Sequence, residues 1–231
     1  MYNKLLTAIL ILFVASAAVY AKSAEEIIDK SIAAVGGDKI DNLKASFMEI
    51  SMNVMNMEIP SKVWKAGDKF RLESNNMGQE ILVVYNGKKG WLKMAGNVNE
   101  MPEAQVEQTR KQIEPPTNPL KSMLKKEGTK VEKVGKVKID GVTAFNIKIT
   151  EKDGTVSNFF INSKTYLVMK MTGKSERGPV EIHFKDYKDY DGIKMPAKIE
   201  INAGGMSMTM TIKEFKPNPK IKSSLFEKPK K

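Results

Sequence analysis

Between residues 140 and 215, apolar side chains fall at nearly every second position, and pairs of turn-forming residues cut the run into short lengths. Those pairs are Asp140-Gly141, Asp153-Gly154, Asp191-Gly192 and Gly204-Gly205. They supply the positive φ angles of tight hairpins, so the alternation predicts antiparallel strands over 129–139, 142–150, 155–162, 165–174, 179–190, 194–203 and 206–215. The same period of two opens the chain's first half. Over 45–57, Met48, Ile50, Met52 and Val54 alternate with Glu49, Ser51 and Asn53, and Pro60 is expected to end that strand. Strands 61–65 and 69–74 follow around Ala66-Gly67-Asp68, and strands 79–85 and 88–94 around a type I′ turn at Asn86-Gly87. About 11–12 strands in hairpin order will not stay flat. The expected class is mainly β with some α: an incompletely closed antiparallel barrel with helices over its open side.

Two segments break the alternation. Ser23 and Glu26 form a capping box, Ile27, Ile28, Ile32 and Val35 make one helical stripe, and Gly36-Gly37 ends the helix; a short turn over 38–43 follows. Residues 101–128 form a proline-bounded helical insert: Pro102 starts a polar helix bearing Val106 and Ile113, and Pro119 starts a second bearing Leu120, Met123 and Leu124. So thin an apolar face suits either a cover that moves or a fixed connection over the barrel end.

Residues 1–21 read as a secretory signal: Lys4, an apolar run over 5–19, and Val19-Tyr20-Ala21 as the cleavage site. A bilayer span takes about 20 apolar residues, which disfavours an uncleaved anchor. With no cysteine at the cleavage site to carry a lipid anchor, residues 22–231 are expected to be one soluble periplasmic domain. The formal charge of +11 suits an anionic membrane surface or an acidic protein. Nucleic acid is not expected, because the lysines are spread along polar strand faces instead of clustering with aromatics.

Candidate chemistry is sparse. The single histidine, His183, falls opposite Ile182 and Phe184 in the alternation and is expected to face solvent. Neither a nucleophile elbow nor a zinc-protease helix motif occurs, so no enzyme, cofactor or histidine–cysteine metal site is expected. Asp186, Asp189 and Asp191 lack the spacing of a calcium loop and read as a solvated edge. Gly36-Gly37-Asp38 follows no strand, as a phosphate loop would.

The 15 methionines are more informative. Alternation aims Met48, Ile50 and Met52 inward, with Phe70 and Leu72, then Ile81 and Val83, on the following strands. In the second half it aims inward Phe145 and Ile147, Met169 and Met171, Ile182 and Phe184, Ile199, and Met206, Met208 and Met210. These residues either fill a core or line a cavity. A barrel this wide, with few aromatics, favours the cavity, and flexible thioethers adapt to apolar ligands of varied shape. A buried methylene contributes about 0.8 kcal/mol, so one long acyl chain supplies about 10 kcal/mol without a polar contact.

Four segments then carry a likeness: AEEIIDKSIAAVGGDKIDNLKA, DGVTAFNIKITEKDGTVSNFFINSKTYLVMKM, FKDYKDYDGIKMPAKIEI and IKEFKPNPKIKSSLFEKP. With Asp153-Gly154, Asp186-Tyr187, Asp191-Gly192, Pro196 and Ser224-Leu225-Phe226, the chain resembles periplasmic outer-membrane lipoprotein-sorting proteins of the LolA/LolB-like fold. The resemblance implies a half-open barrel with a helical lid that carries lipoprotein acyl chains or free lipid between membranes, as a monomeric chaperone meeting inner- and outer-membrane machinery. It also implies a lid latched by an arginine on an early strand, where this chain has only Arg71. The alternative is a non-carrying envelope module, on the same fold, for lipid sensing or protein interaction.

Overall fold

The computed structural model describes residues 22–113, 120, 124, 127–175 and 178–230. The expected leader lies outside them, as does Met123. Two helices open the described chain, α1 (Ala24–Ala34) and α2 (Asp38–Asp41). Six strands follow: β1 (Ala45–Val54), β2 (Met57–Ala66), β3 (Lys69–Asn76), β4 (Gln79–Tyr85), β5 (Gly90–Met94) and β6 (Asn97–Met101). Helix α3 (Glu103–Gln112) then leads toward β7 (Lys130–Ile139), β8 (Val142–Thr150), β9 (Val156–Asn162) and β10 (Val168–Ser175). Last come β11 (Gly178–Tyr190), β12 (Ile193–Ala203), β13 (Met206–Pro217) and a 3-10 turn at Ser223–Phe226.

All thirteen strands join one antiparallel sheet in the order β6-β5-β4-β3-β2-β1-β13-β12-β11-β10-β9-β8-β7. Two up-and-down meanders are thus joined by pairing of the first strand with the last. The free edges, β6 and β7, are successive in the chain, so the connection containing α3 runs between the two edges of the unclosed sheet. This is the expected open barrel, with one strand more than the alternation indicated. The extra strand is β6, whose sequence Asn-Val-Asn-Glu-Met carries too little apolar alternation to stand out.

Other departures have local causes. Pro60 does not end a strand but sits inside β2, opposite Ser51, just before β3 pairing begins at Ser61. Its missing N–H therefore costs no ladder bond on the β3 side. The first strand ends at Val54, because Met55 and Asn56 both take positive φ and turn the chain. At Asn86-Gly87 only the glycine has positive φ, so no type I′ turn forms. Instead the Asn86 carboxamide oxygen accepts from the Lys88 and Lys89 amides at 2.9 Å, making a longer side-chain-closed loop. Half of the expected capping box is present: Ser23 Oγ accepts from Glu26 N at 3.1 Å, while the Glu26 carboxylate pairs with Lys30 at 2.6 Å.

Two apolar clusters occupy the face that carries the helices. One places Ile27 and Ile28 of α1, with Leu120, on Phe145, Ile147, Phe159 and Ile199. The other places Val106 and Ile113 of α3 and its flank on Met48, Val63, Phe70, Val83 and Phe215. A Schellman pair ends α1, with Gly37 N donating to Ile32 O and Gly36 N to Ala33 O. At Gly36 φ is +124°, and a Cβ there would stand 2.9 Å from Gly192 O. Only glycine lets the helix end meet the β11–β12 hairpin this closely.

Candidate functional site

Directly opposed residues of an antiparallel pair share a face, so the register traces continuous rows across the inner surface. One row runs Ile147, Phe159, Met171, Ile182, Ile201, Met208, Val54 and Met57. Beside it lies Phe184, Ile199, Met210, Met52 and Ile59. Along both, burial falls away in one direction. Ile147, Phe159 and Ile199 are buried, Met171, Ile182, Ile201, Met208, Met210 and Met52 are half-buried, and Met57 is 41% exposed.

That direction leads to one end of the barrel. The β1–β2, β3–β4, β5–β6 and β12–β13 hairpin tips all lie there, carrying Met55, Met77, Met94 and Met206. Met55 is 74% and Met77 85% exposed, and both adopt positive φ. The end of α1 and helix α3 pack at the opposite end. There Lys194 N donates to Val35 O at 3.0 Å, and α3 seats against Gly90. The inner surface is therefore helix-capped at one end and apolar and accessible at the other.

The inward-aimed residues divide along this gradient. Met48, Ile50, Phe70, Val83, Phe145, Ile147, Phe184 and Ile199 are buried and serve as core. Met52, Leu72, Ile81, Met171, Ile182, Met208 and Met210 remain partly accessible, and Met206 is exposed. Met169 departs from its expected place: a bulge between Val168 and Lys170 leaves it without a cross-strand partner, and Val168 takes the buried position. In the cover, Val106, Ile113 and Leu120 are buried and Leu124 packs against the α1 cluster. Val54 and Ile201 join the lining by continuing the period of two beyond Met52 and Ile199, and Ile59 joins it because the turn at Met55-Asn56 sets it opposite Met52.

The outer face is polar and paired. Glu200 lies 2.6 Å from Lys185 and 2.8 Å from Lys198, and these ammonium groups hold its carboxyl down to about 2. Lys170 and His183 flank Glu181 at 2.5 and 2.6 Å and lower it as well, so His183 is on the outer face as expected but only 20% exposed, and engaged. Arg71 also points outward, bonding Glu73 at 2.7 Å and Leu225 O at 3.1 Å. It therefore fixes the C-terminal tail, where Phe226 is buried, and among the described residues it bonds nothing in the helical cover. An outer-face cleft of about 400 Å³ is walled by Lys62, Arg71, Glu73 and Glu80 together with Pro60 and Leu82.

Acid should weaken this ladder. The folded pKa of Glu200 lies below its ordinary 4.5, so its contribution is complete above about pH 4.5 and is lost as pH falls toward about 2. Urea unfolding midpoints should drop between pH 7 and pH 3, and Glu200→Gln should reduce that drop. An equal drop in both proteins would remove Glu200 from the account.

Helix α3 is held by shape and by a cation. A Cβ on Gly90 would stand 2.5 Å from Val106 Cγ2, so glycine here is what lets Val106 sit on β5. Arg110 places its guanidinium 5.2 Å from the Tyr85 ring centre and 3.7 Å from Asp68. A disulfide engineered into this chain, which has no other cysteine, should pin the seat: a Cβ at Gly90 stands 2.5 Å from Val106 Cγ2, where a cysteine sulfur would lie, so Gly90→Cys with Val106→Cys should cross-link. Because the accessible surface lies at the other end, oxidised and reduced forms should take up an apolar probe equally. A block relieved by reductant would show instead that α3 must lift.

No protein-family model matches the chain, and no curated protein does. Solved structures do. A DUF1329 family protein from Desulfovibrio piger is similar over 90% of this chain and 98% of its own, with 12% identity and a TM-score of 0.56. A domain described as an outer membrane lipoprotein-sorting protein domain, from Vibrio parahaemolyticus, is similar over 89% and 96%, with 13% identity and a TM-score of 0.53. A LolA superfamily protein from Nitrosomonas europaea is similar over 90% and 99%, with 13% identity and a TM-score of 0.48. The thirteen-stranded open sheet of this chain thus shares its fold with the Desulfovibrio piger protein and the Vibrio parahaemolyticus domain.

Proposed function

We propose that the protein is a periplasmic carrier that takes up the acyl chains of lipoproteins, or free lipid, on the methionine-rich part of its inner face. One observation carries the reading: rows of half-buried apolar side chains run from a packed core to an accessible barrel end. Apolar surface left continuous in this way marks a ligand or partner site more often than leftover core. The name of the Vibrio domain and the signal-like residues 1–21 point the same way. Among the described residues no helix is long and apolar enough to cross a membrane.

The distribution of contacts suits a carrier. Methionine has three rotatable bonds, so the surface repacks around chains of different shape, and many weak contacts release cargo without one strong bond to break. No catalytic step is assigned to the site. Protein purified under native conditions should yield acyl lipid or lipopeptide on organic extraction and mass spectrometry. It should also bind a fluorescent fatty acid that purified lipoprotein displaces. Extracts free of lipid, together with no probe uptake, would overturn the carrier reading. A stable protein partner held without acyl dependence would favour an interaction module.

A further inference from the structure

Full burial accounts for few of the methionines, although Met171 and Met210 also pack against the edge of the α1 cluster. Among the described residues Met48, Met101 and Met195 are buried, whereas Met52, Met55, Met57, Met206, Met208 and Met210 are partly or largely exposed and gather around the β13–β1–β2 junction. Met52 lies directly opposite Met210, and Met208 follows two residues along on the same face. Met208 and Met57 flank Val54 from its two sides, and Met206 continues the β13 face to the tip. Five thioethers therefore share one patch of the inner surface.

We infer that Met52, Met208 and Met210 form a binding site for a soft monovalent cation, Cu(I) or Ag(I), with Met57 and Met206 at its entrance. Three arguments converge. The first is reach. Opposed Cβ atoms stand about 5 Å apart and diagonal ones about 7–8 Å, while metal–sulfur bonds are about 2.3 Å. Each sulfur sits two bonds beyond its Cβ on a freely rotating chain, so three thioethers at this spacing can meet on one ion.

Ligand type is the second. Thioether sulfur is a soft donor that selects Cu(I) over magnesium, calcium or zinc. Among the described residues no group of three histidine, cysteine, aspartate or glutamate side chains forms a competing site. The lone histidine is on the outer face, bound to Glu181. Charge is the third. The patch is framed by Ile59, Ile199 and Ile201, and the cost of desolvating an ion rises steeply with its charge. With neutral ligands and an apolar frame, a monovalent ion is tolerated where a divalent one is not. Partial exposure of Met57 and Met206 leaves the ion a way in.

This site does not depend on acyl-chain binding, and its test uses no lipid. The full protein, with its methionine methyl groups carbon-13 labelled, is titrated with silver nitrate in chloride-free buffer. It is also titrated with Cu(I), anaerobically, against a chromogenic Cu(I) chelator. One equivalent should bind, shifting the methyl signals of Met52, Met208 and Met210 together while Met77 and Met94 stay in place. Replacing the three with leucine preserves apolar volume and should weaken binding at least tenfold. Should that variant fail to fold by circular dichroism, Met210→Leu alone should still weaken binding severalfold. No binding, signals moving equally at Met77, binding unchanged by the leucines, or equal affinity for Zn(II) would each overturn the site.

Discussion

Replacing Met208 and Met210 together by glutamate should reduce fatty-acid probe uptake by more than tenfold and leave the far-ultraviolet circular dichroism unchanged. Both side chains are half-buried on the inner face, in the adjoining rows that link the core to the barrel mouth. In the free protein each carboxylate can still reach water, so the sheet should tolerate the change. A bound chain removes that water. Each methylene displaced from apolar contact forfeits about 0.8 kcal/mol. Tenfold corresponds to about 1.4 kcal/mol, so displacing two methylenes exceeds it before the carboxylates lose any hydration. Met77→Glu is the control, because this residue stands at the β3–β4 tip outside both rows and should retain uptake. Unchanged uptake in the double variant would place the ligand elsewhere on the molecule.

What could be read from the chain depended on whether a signal was local. Asp140-Gly141, Asp191-Gly192 and Gly204-Gly205 are tight turns in the structure because both residues of each pair adopt positive φ, a preference written into the residues themselves. Met55-Asn56 and Met77-Gly78 make the same turn with a methionine first, and nothing in a methionine announces it. The inward faces were legible wherever the period of two held, since a one-residue slip would expose the whole apolar set. At Met169 a bulge broke the period, and no residue there signals a bulge. The division of inward residues into core and accessible lining lay beyond the sequence altogether. Met48 and Met52 occupy equivalent places in the same alternation, yet one is sealed under the α3 cluster and the other is not, because of where distant helices land. Arg71 shows the same limit: its outward direction follows from alternation with Phe70 and Leu72, but its partner is a tail about 150 residues away.

Phe159→Ala should be the most destabilising of these substitutions, costing about 3–5 kcal/mol, the usual range for emptying a buried phenylalanine site. Phe159 is fully buried between Ile147 and Met171, within the cluster that α1 covers. The neighbours on its row are held by ladder bonds on both sides, so the space cannot collapse, and the helix above loses its contact as well. Urea unfolding should show a lower midpoint at unchanged slope, the sign of lost stability without a changed unfolded state. A loss below about 1 kcal/mol would mean that α1 settles into the gap and that the helix-capped end is softer than its burial implies. Met208 lies on the same row, three cross-strand steps beyond Met171. Its change to glutamate, at a position partly open to water, should shift the midpoint far less while stopping uptake. Opposite responses at two positions of one row would separate the part of the sheet that holds the fold from the part that holds the ligand.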